Sequence, residues 1–151
     1  MHYADLDWDE VNEPLEEETI KALEKHFGVV LPRDYRGCLE LFHGAYPRVQ
    51  EFSVEGSDGE PVDGCLGVLL SADPDEGDNI YDAHSEMESH AHKKIIPIAD
   101  DGGGNLLCLD FRKEGKPSVC YFQPELGEFT FVAPSFSAFC ELLDEPEGDD
   151  W

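Results

Sequence analysis

Apolar residues recur every three or four positions in the first third of the chain, which is the spacing of an amphipathic helix. Pro14 suits the first turn of one helix, and Gly28 ends it. Pro32 starts a second helix, which Gly44 ends. The core face of the first helix consists of Leu15, Ile20, Leu23 and Phe27, and the core face of the second consists of Tyr35, Leu39 and Phe42. The pattern therefore predicts a helical hairpin at the start of the chain.

From Val49 onward the pattern changes to alternation, which is typical of strands. It predicts one strand around Phe52 and Val54 and another from Leu66 to Leu70, joined by the acidic, glycine-rich stretch 56–64. The polar segment 73–92 is predicted to be a loop with an exposed helix. Four later runs, separated by turn residues, predict an antiparallel meander: Ile95–Ala99, Leu106–Phe111, Ser118–Gln123 and Glu128–Val132.

A last helix follows Ser135, a good N-cap residue, and its apolar face consists of Phe136, Phe139, Leu142 and Leu143. The order of elements predicts an α+β fold with a mainly antiparallel twisted sheet of about six strands, two N-terminal helices and one C-terminal helix. The 151 residues suit a single domain over residues 14–143, preceded by an acidic segment, 1–13, and followed by an acidic tail, 144–151.

Charge narrows the class of partner. The chain has 35 Asp and Glu against 10 Lys and Arg, a net charge of −25 at pH 7. Such a field repels nucleic acid and anionic lipid and speeds encounter with basic proteins. A protein partner is therefore expected, and neither nucleic acid nor a membrane. The alternative explanation is that the acidity serves solubility or adaptation to a saline cytoplasm.

Several features indicate the compartment. The first residues lack the charged and apolar regions of a secretory signal, and no run reaches the roughly 20 apolar residues of a membrane span. The cysteines are odd in number and lie within apolar runs, as free buried thiols do: Cys38, Cys65, Cys108, Cys120 and Cys140. A soluble cytoplasmic protein is expected.

Four possible chemical sites have weak patterns. A histidine and glutamate cluster could suggest a metal but lacks the spacing of a known zinc site: His84, Glu86, Glu88, His90 and His92. The acidic run 73–78 departs from a calcium loop, and the glycines at 102–104 suit a turn better than a phosphate site. Cys38 and His43 are spaced to point to different helix faces. No cofactor, metal or catalytic residue is therefore expected.

Three stretches resemble the SUKH superfamily, which includes yeast cell-wall synthesis regulators and many bacterial immunity proteins. They are IKALEKHFGVVLPRDYRGCLELFHGAYP, IIPIADDGGGNLLCLDF and FVAPSFSAFCELL. His43-Gly44 stands where the family usually has Asn-Gly. The resemblance implies a non-enzymatic protein-binding domain, with neutralisation of a toxin, possibly a basic nuclease, as the leading function. A constitutive scaffold or regulatory module and, more remotely, an unrecognised hydrolase remain alternatives.

Acidic residues in the connections of the β region are the candidate partner-binding residues, because loops carry adaptable surface. They are Glu51, Asp58, Glu60, Asp75, Glu76, Asp78, Asp100 and Asp101. Candidate aromatic anchors are Tyr46, Phe52, Tyr81 and Tyr121, although the core is the more common place for each of them.

Overall fold

Five antiparallel strands form the main sheet, and they lie side by side in the same order as along the chain. The computed structural model describes residues 2–56, 58–87 and 92–144. The sheet strands are β5 (Val68–Leu69), β6 (Ile95–Asp100), β7 (Leu106–Asp110), β8 (Ser118–Gln123) and β9 (Glu128–Ala133). Two smaller antiparallel pairs join β1 (Trp8–Asp9) to β2 (Tyr46–Pro47), and β3 (Glu51–Glu55) to β4 (Pro61–Cys65). The described helices are α1 (Glu17–Phe27), α2 (Arg33–Phe42), α3 (Ile80–Met87) and α4 (Phe136–Glu141). The predicted α+β class is confirmed.

The N-terminal helices end where their sequence predicts. Gly28 and Gly44 follow α1 and α2 with φ of +67° and +77°, a backbone region that glycine enters without the steric cost of a Cβ. The Lys94 ammonium donates hydrogen bonds to the Phe27 and Gly28 carbonyl oxygens at 2.9 and 2.7 Å. A cation at this position interacts favourably with the negative end of the helix dipole.

His43 fastens the end of α2 to two other segments. Its Nε2 lies 2.8 Å from the Glu13 carbonyl oxygen, and its Nδ1 lies 2.8 Å from the Ser71 hydroxyl. Because a carbonyl can only accept, Nε2 donates there. The imidazole thus joins the segment before α1 to the segment after β5.

A chain of aromatic contacts joins the helices to the sheet. Tyr35 of α2 packs edge-on against Phe136 of α4, with ring centroids 5.4 Å apart. Phe139, one turn further along α4, lies 5.6 Å from Phe52 of β3, which lies 5.4 Å from Tyr121 of β8. Edge-to-face pairs of this kind stabilise beyond the area they bury. They hold the β3–β4 hairpin against one end of the main sheet.

Two predicted connections differ from the structure. The stretch 56–64 contains most of β4, and the expected strand from Leu66 to Leu70 is reduced to β5. Alternation misled the prediction because β4 includes Gly64, which has no side chain to mark a buried face. A Cβ at Gly64 would lie 2.5 Å from Phe52 Cζ and 3.0 Å from Tyr121 Cζ, so the close approach of these rings requires glycine.

Three details of the helices also differ. The first helix begins at Glu17 rather than at Pro14. The helix in the polar segment exists, but it buries Ile80, Ala83 and Met87 instead of being exposed. Leu142 is 39% exposed, while Leu143 is buried, because the chain leaves α4 before Leu142.

Candidate protein-binding surface

A cleft of about 560 Å³ lies between the β3–β4 hairpin, the turn from β6 to β7 and the end of α4. Phe52, Gly64 and Tyr121 line its apolar part. Its carboxylates belong to Glu51, Asp63, Asp101 and Asp144. The main chain of Asp144 brings the last of these into place, because its N–H donates to the Glu51 carbonyl oxygen at 2.8 Å. An acidic cleft with an aromatic wall suits a cationic side chain of a partner.

Asp101 organises the turn beside this cleft. Its Oδ1 accepts hydrogen bonds from the Gly103 and Asn105 N–H groups at 2.7 and 3.0 Å. Its Oδ2 accepts from the Asn105 amide at 2.9 Å and from the Tyr121 hydroxyl at 2.6 Å. Partial burial alone would raise the pKa of Asp101, but these hydrogen bonds outweigh burial and lower the pKa. Asp101 therefore stays ionised, and much of its accepting capacity is used within the protein.

The groups around Asp101 respond to the same burial and charge. Burial, together with the hydrogen bond to Asp101, raises the pKa of the Tyr121 hydroxyl well above its usual range. The Cys65 thiol donates to the Asp101 carbonyl oxygen at 3.3 Å, and burial and the nearby carboxylates raise its pKa. Tyr121 and Cys65 are therefore protonated at neutral pH, and the negative charge of the cleft belongs to its carboxylates.

Five of the predicted residues lie at the cleft, beside it or in a depression that adjoins it. Glu51 and Asp101 line it, and Asp100 is the last residue of β6, where its Oδ1 accepts from the Gly102 N–H. Asp58 and Glu60 lie at the exposed tip of the β3–β4 hairpin, in an adjoining depression of about 260 Å³. Asp63 of β4 lies in both. We call the carboxylates of Glu51, Asp58, Glu60, Asp63, Asp100, Asp101 and Asp144 the acidic face.

The remaining three predicted residues belong to a different connection, between β5 and α3. Asp75, Glu76 and Asp78 are exposed, and in the described part of the chain their carboxylates take part in no hydrogen bond or salt bridge. Their backbone is fixed instead: the Asp75 N–H donates to Asp73 Oδ1 at 2.9 Å, and the Asp78 carbonyl accepts from the Ser71 N–H. We call Asp75, Glu76 and Asp78 the acidic loop.

Sequence reasoning missed Asp63 and Asp144. Asp63 lies in the stretch interpreted as a connection, and Asp144 was assigned to the tail. The alternation of Val62, Asp63 and Gly64 is a signal that could have identified a strand, but its glycine obscured the buried position. Of the four candidate anchors, Phe52 and Tyr121 are core residues, Tyr81 is half-buried, and Tyr46 is 37% exposed.

Other sites considered from sequence are explained by local contacts. His84 Nε2 lies 3.0 Å from the Lys93 carbonyl oxygen, while Glu88 and His90 lie outside the described residues. Over residues 2–56, 58–87 and 92–144, no group of three or more His, Cys, Asp or Glu side chains is arranged to hold a metal ion. Burial raises the pKa of the Cys38 thiol well above its usual value, and His43 bonds elsewhere, so the two do not form a thiolate–imidazole pair. None of the helices described is both long enough and apolar enough to cross a membrane.

The fold is that of an α+β domain in which a hairpin and several turns lie beside an antiparallel sheet. Residues 14–142 match the SMI1 / KNR4 family (SUKH-1), and the chain belongs to that family. The resemblance in the three sequence stretches is thus confirmed. The family includes immunity proteins, and its members are generally binding proteins.

A curated relative is the SPbeta prophage-derived uncharacterized protein YokK of Bacillus subtilis (strain 168). It is 29% identical over an alignment of length 152, and the alignment covers 85% of this chain and 75% of that protein. The name gives that relative a prophage origin and no activity.

Proposed function

We propose that this protein is a cytoplasmic, non-enzymatic immunity protein that neutralises a basic toxin domain by binding it through the acidic face and the acidic loop. The observation that carries the proposal is membership of a family that includes immunity proteins, over residues 14–142. The net charge of −25 supports a basic partner, because complementary charge speeds association and repels wrong partners.

The two acidic surfaces have different roles in this proposal. The acidic loop has exposed carboxylates without partners in the described chain, so it contributes mainly to long-range attraction and to the association rate. Two carboxylates of the cleft, those of Glu51 and Asp101, are partly buried. A cationic side chain that enters the cleft therefore loses water and gains charge-assisted hydrogen bonds. Contacts in the cleft therefore control mainly the dissociation rate.

The test begins with affinity capture from the source organism, followed by co-expression of the captured protein with and without this chain. The proposal requires that the captured protein arrest growth and that this chain restore it. A captured partner that is harmless alone would contradict the immunity function and favour a regulatory module.

Binding kinetics then test the surface. Replacing Asp75, Glu76 and Asp78 by Asn, Gln and Asn should slow association about tenfold at low salt and weaken its salt dependence. Replacing Glu16, Glu17 and Glu18 by Gln makes the same charge change at exposed positions just before and at the start of α1, and is the matched control. If both triple variants slow association equally, net charge alone acts, and the acidic loop is not part of the interface.

A further inference from the structure

One edge strand of the main sheet has a side that no other described residue pairs with, and opposite charges lie at its two ends. β9 pairs with β8 and is the last strand in the sheet. Its sequence, Glu-Phe-Thr-Phe-Val-Ala, contains neither Lys nor Pro, the residues that commonly protect such an edge from pairing. Phe131 is 61% exposed, and Phe129 is half-buried on the same face of the sheet.

One end of β9 lies beside a basic connection of the main sheet. The β7–β8 connection, residues 112–116, is exposed and carries three of the ten Lys and Arg residues against one carboxylate. Arg112 forms a two-point ion pair with Asp110 at 3.0 and 2.8 Å, whereas Lys113 and Lys116 form no salt bridge within the described chain. Their side chains line one groove together with Phe129, Phe131 and Pro134.

The opposite end of β9 is acidic. Glu128 is its first residue, and Glu125 lies in the turn just before it. Glu128 also lines the depression that contains Asp58 and Glu60. Six residues of strand separate the two ends by roughly 20 Å, more than twice the screening length of about 8 Å at physiological ionic strength. The basic and acidic ends therefore act as separate charges.

We propose that β9 pairs antiparallel with β9 of a second copy, which forms a symmetric dimer with a continuous sheet. A two-fold axis perpendicular to the sheet places the acidic end of each copy beside the basic end of the other, so the charge pattern is self-complementary. A register centred on Thr130 sets Phe131 opposite Phe129 of the second copy on one face. The irregular pairing near Val132 confines regular pairing in this register to residues 129–131. This interface adjoins the acidic face at the depression that Glu128 shares with Asp58 and Glu60.

Molar mass from light scattering, measured over about a hundredfold range of concentration at physiological salt, tests the dimer. The wild-type protein should approach twice the mass of the chain. Phe131→Ser should weaken dimerisation at least about tenfold without changing the unfolding transition of the monomer, because the side chain is mostly exposed. A wild-type protein that stays monomeric at every concentration overturns the proposal, whatever else binds this edge.

Variants with reversed charges at the two ends of β9 test the pairing geometry. Lys113→Glu with Lys116→Glu makes both ends acidic, and Glu125→Lys with Glu128→Lys makes both ends basic. Each double variant should dimerise at least about tenfold more weakly, while a one-to-one mixture should form a heterodimer as tight as wild type, because both contacts are complementary again. Lys21→Glu with Lys25→Glu on α1 brings the net charge to the same −29 as the first variant and should leave dimerisation unchanged. A mixture that stays monomeric, or a control as disruptive as the first variant, overturns the proposed register.

Discussion

Truncation of Phe139 to Ala tests the packing that holds the candidate surface in place. Phe139 is fully buried, with its ring 5.6 Å from Phe52 and 6.2 Å from Phe136. Truncation of a buried Phe to Ala loses the burial of the ring and leaves a cavity, and together these lower the free energy of unfolding by about 3 to 5 kcal/mol. Because two aromatic contacts are lost, one to Phe52 of β3 and one to Phe136 of α4, we expect a value of about 4 kcal/mol.

Urea unfolding followed by fluorescence or circular dichroism measures this loss. With a slope of about 2 kcal/mol per M, typical of a small domain, the midpoint should fall by about 2 M. Leu142→Ala is the control from the same segment: Leu142 is 39% exposed, so its truncation should cost less than about 1 kcal/mol. If the two variants shift the midpoint equally, α4 is not docked through Phe139, and the β3–β4 hairpin lacks the support described here.

Two further predictions concern hydrogen bonds. Asp34 Oδ2 accepts hydrogen bonds from the Ser137 N–H and hydroxyl at 2.8 and 2.7 Å and so connects α2 to α4. Asp34→Ala should therefore lower the free energy of unfolding by about 1 to 2 kcal/mol in denaturant titration. Asp34→Asn retains an acceptor and should lose less stability, and equal losses would contradict this role. The pKa of Asp101 is lower in the folded than in the unfolded state, so its contribution to stability is present above about pH 4, the unfolded pKa, and disappears as pH falls through the folded pKa. Asp101→Asn should therefore flatten the loss of stability below about pH 4, and unfolding curves as steep in pH as wild type would refute it.

Part of the candidate surface could be predicted from sequence. Acidic loop residues were recognisable because Asp75, Glu76 and Asp78 lie in a polar segment, where side chains face solvent whatever the fold. Asp101 was recognised as acidic and adjacent to a turn, but one of its four hydrogen bonds comes from Tyr121, twenty residues away. A sequence pattern cannot show whether a carboxylate is free or satisfied.

The sequence by itself determined the fold class and most of the helices and strands. Helical spacing, the glycines after α1 and α2, and the alternating runs of the last third depend on local physics, namely side-chain burial on one face and the backbone freedom of glycine. Motif residues of the family resemblance obey the same local rules, since Leu31 and Pro32 start the second helix and Tyr35 lies on its core face.

Only the tertiary structure decided which distant groups meet. It placed Gly64 under the rings of Phe52 and Tyr121, Asp144 beside Glu51, and the basic connection 112–116 at the end of β9. These encounters depend on how strands pair and how rings pack across many residues of chain, and local periodicity carries no information about either. The acidic cleft and the charged ends of β9 are therefore properties of the fold.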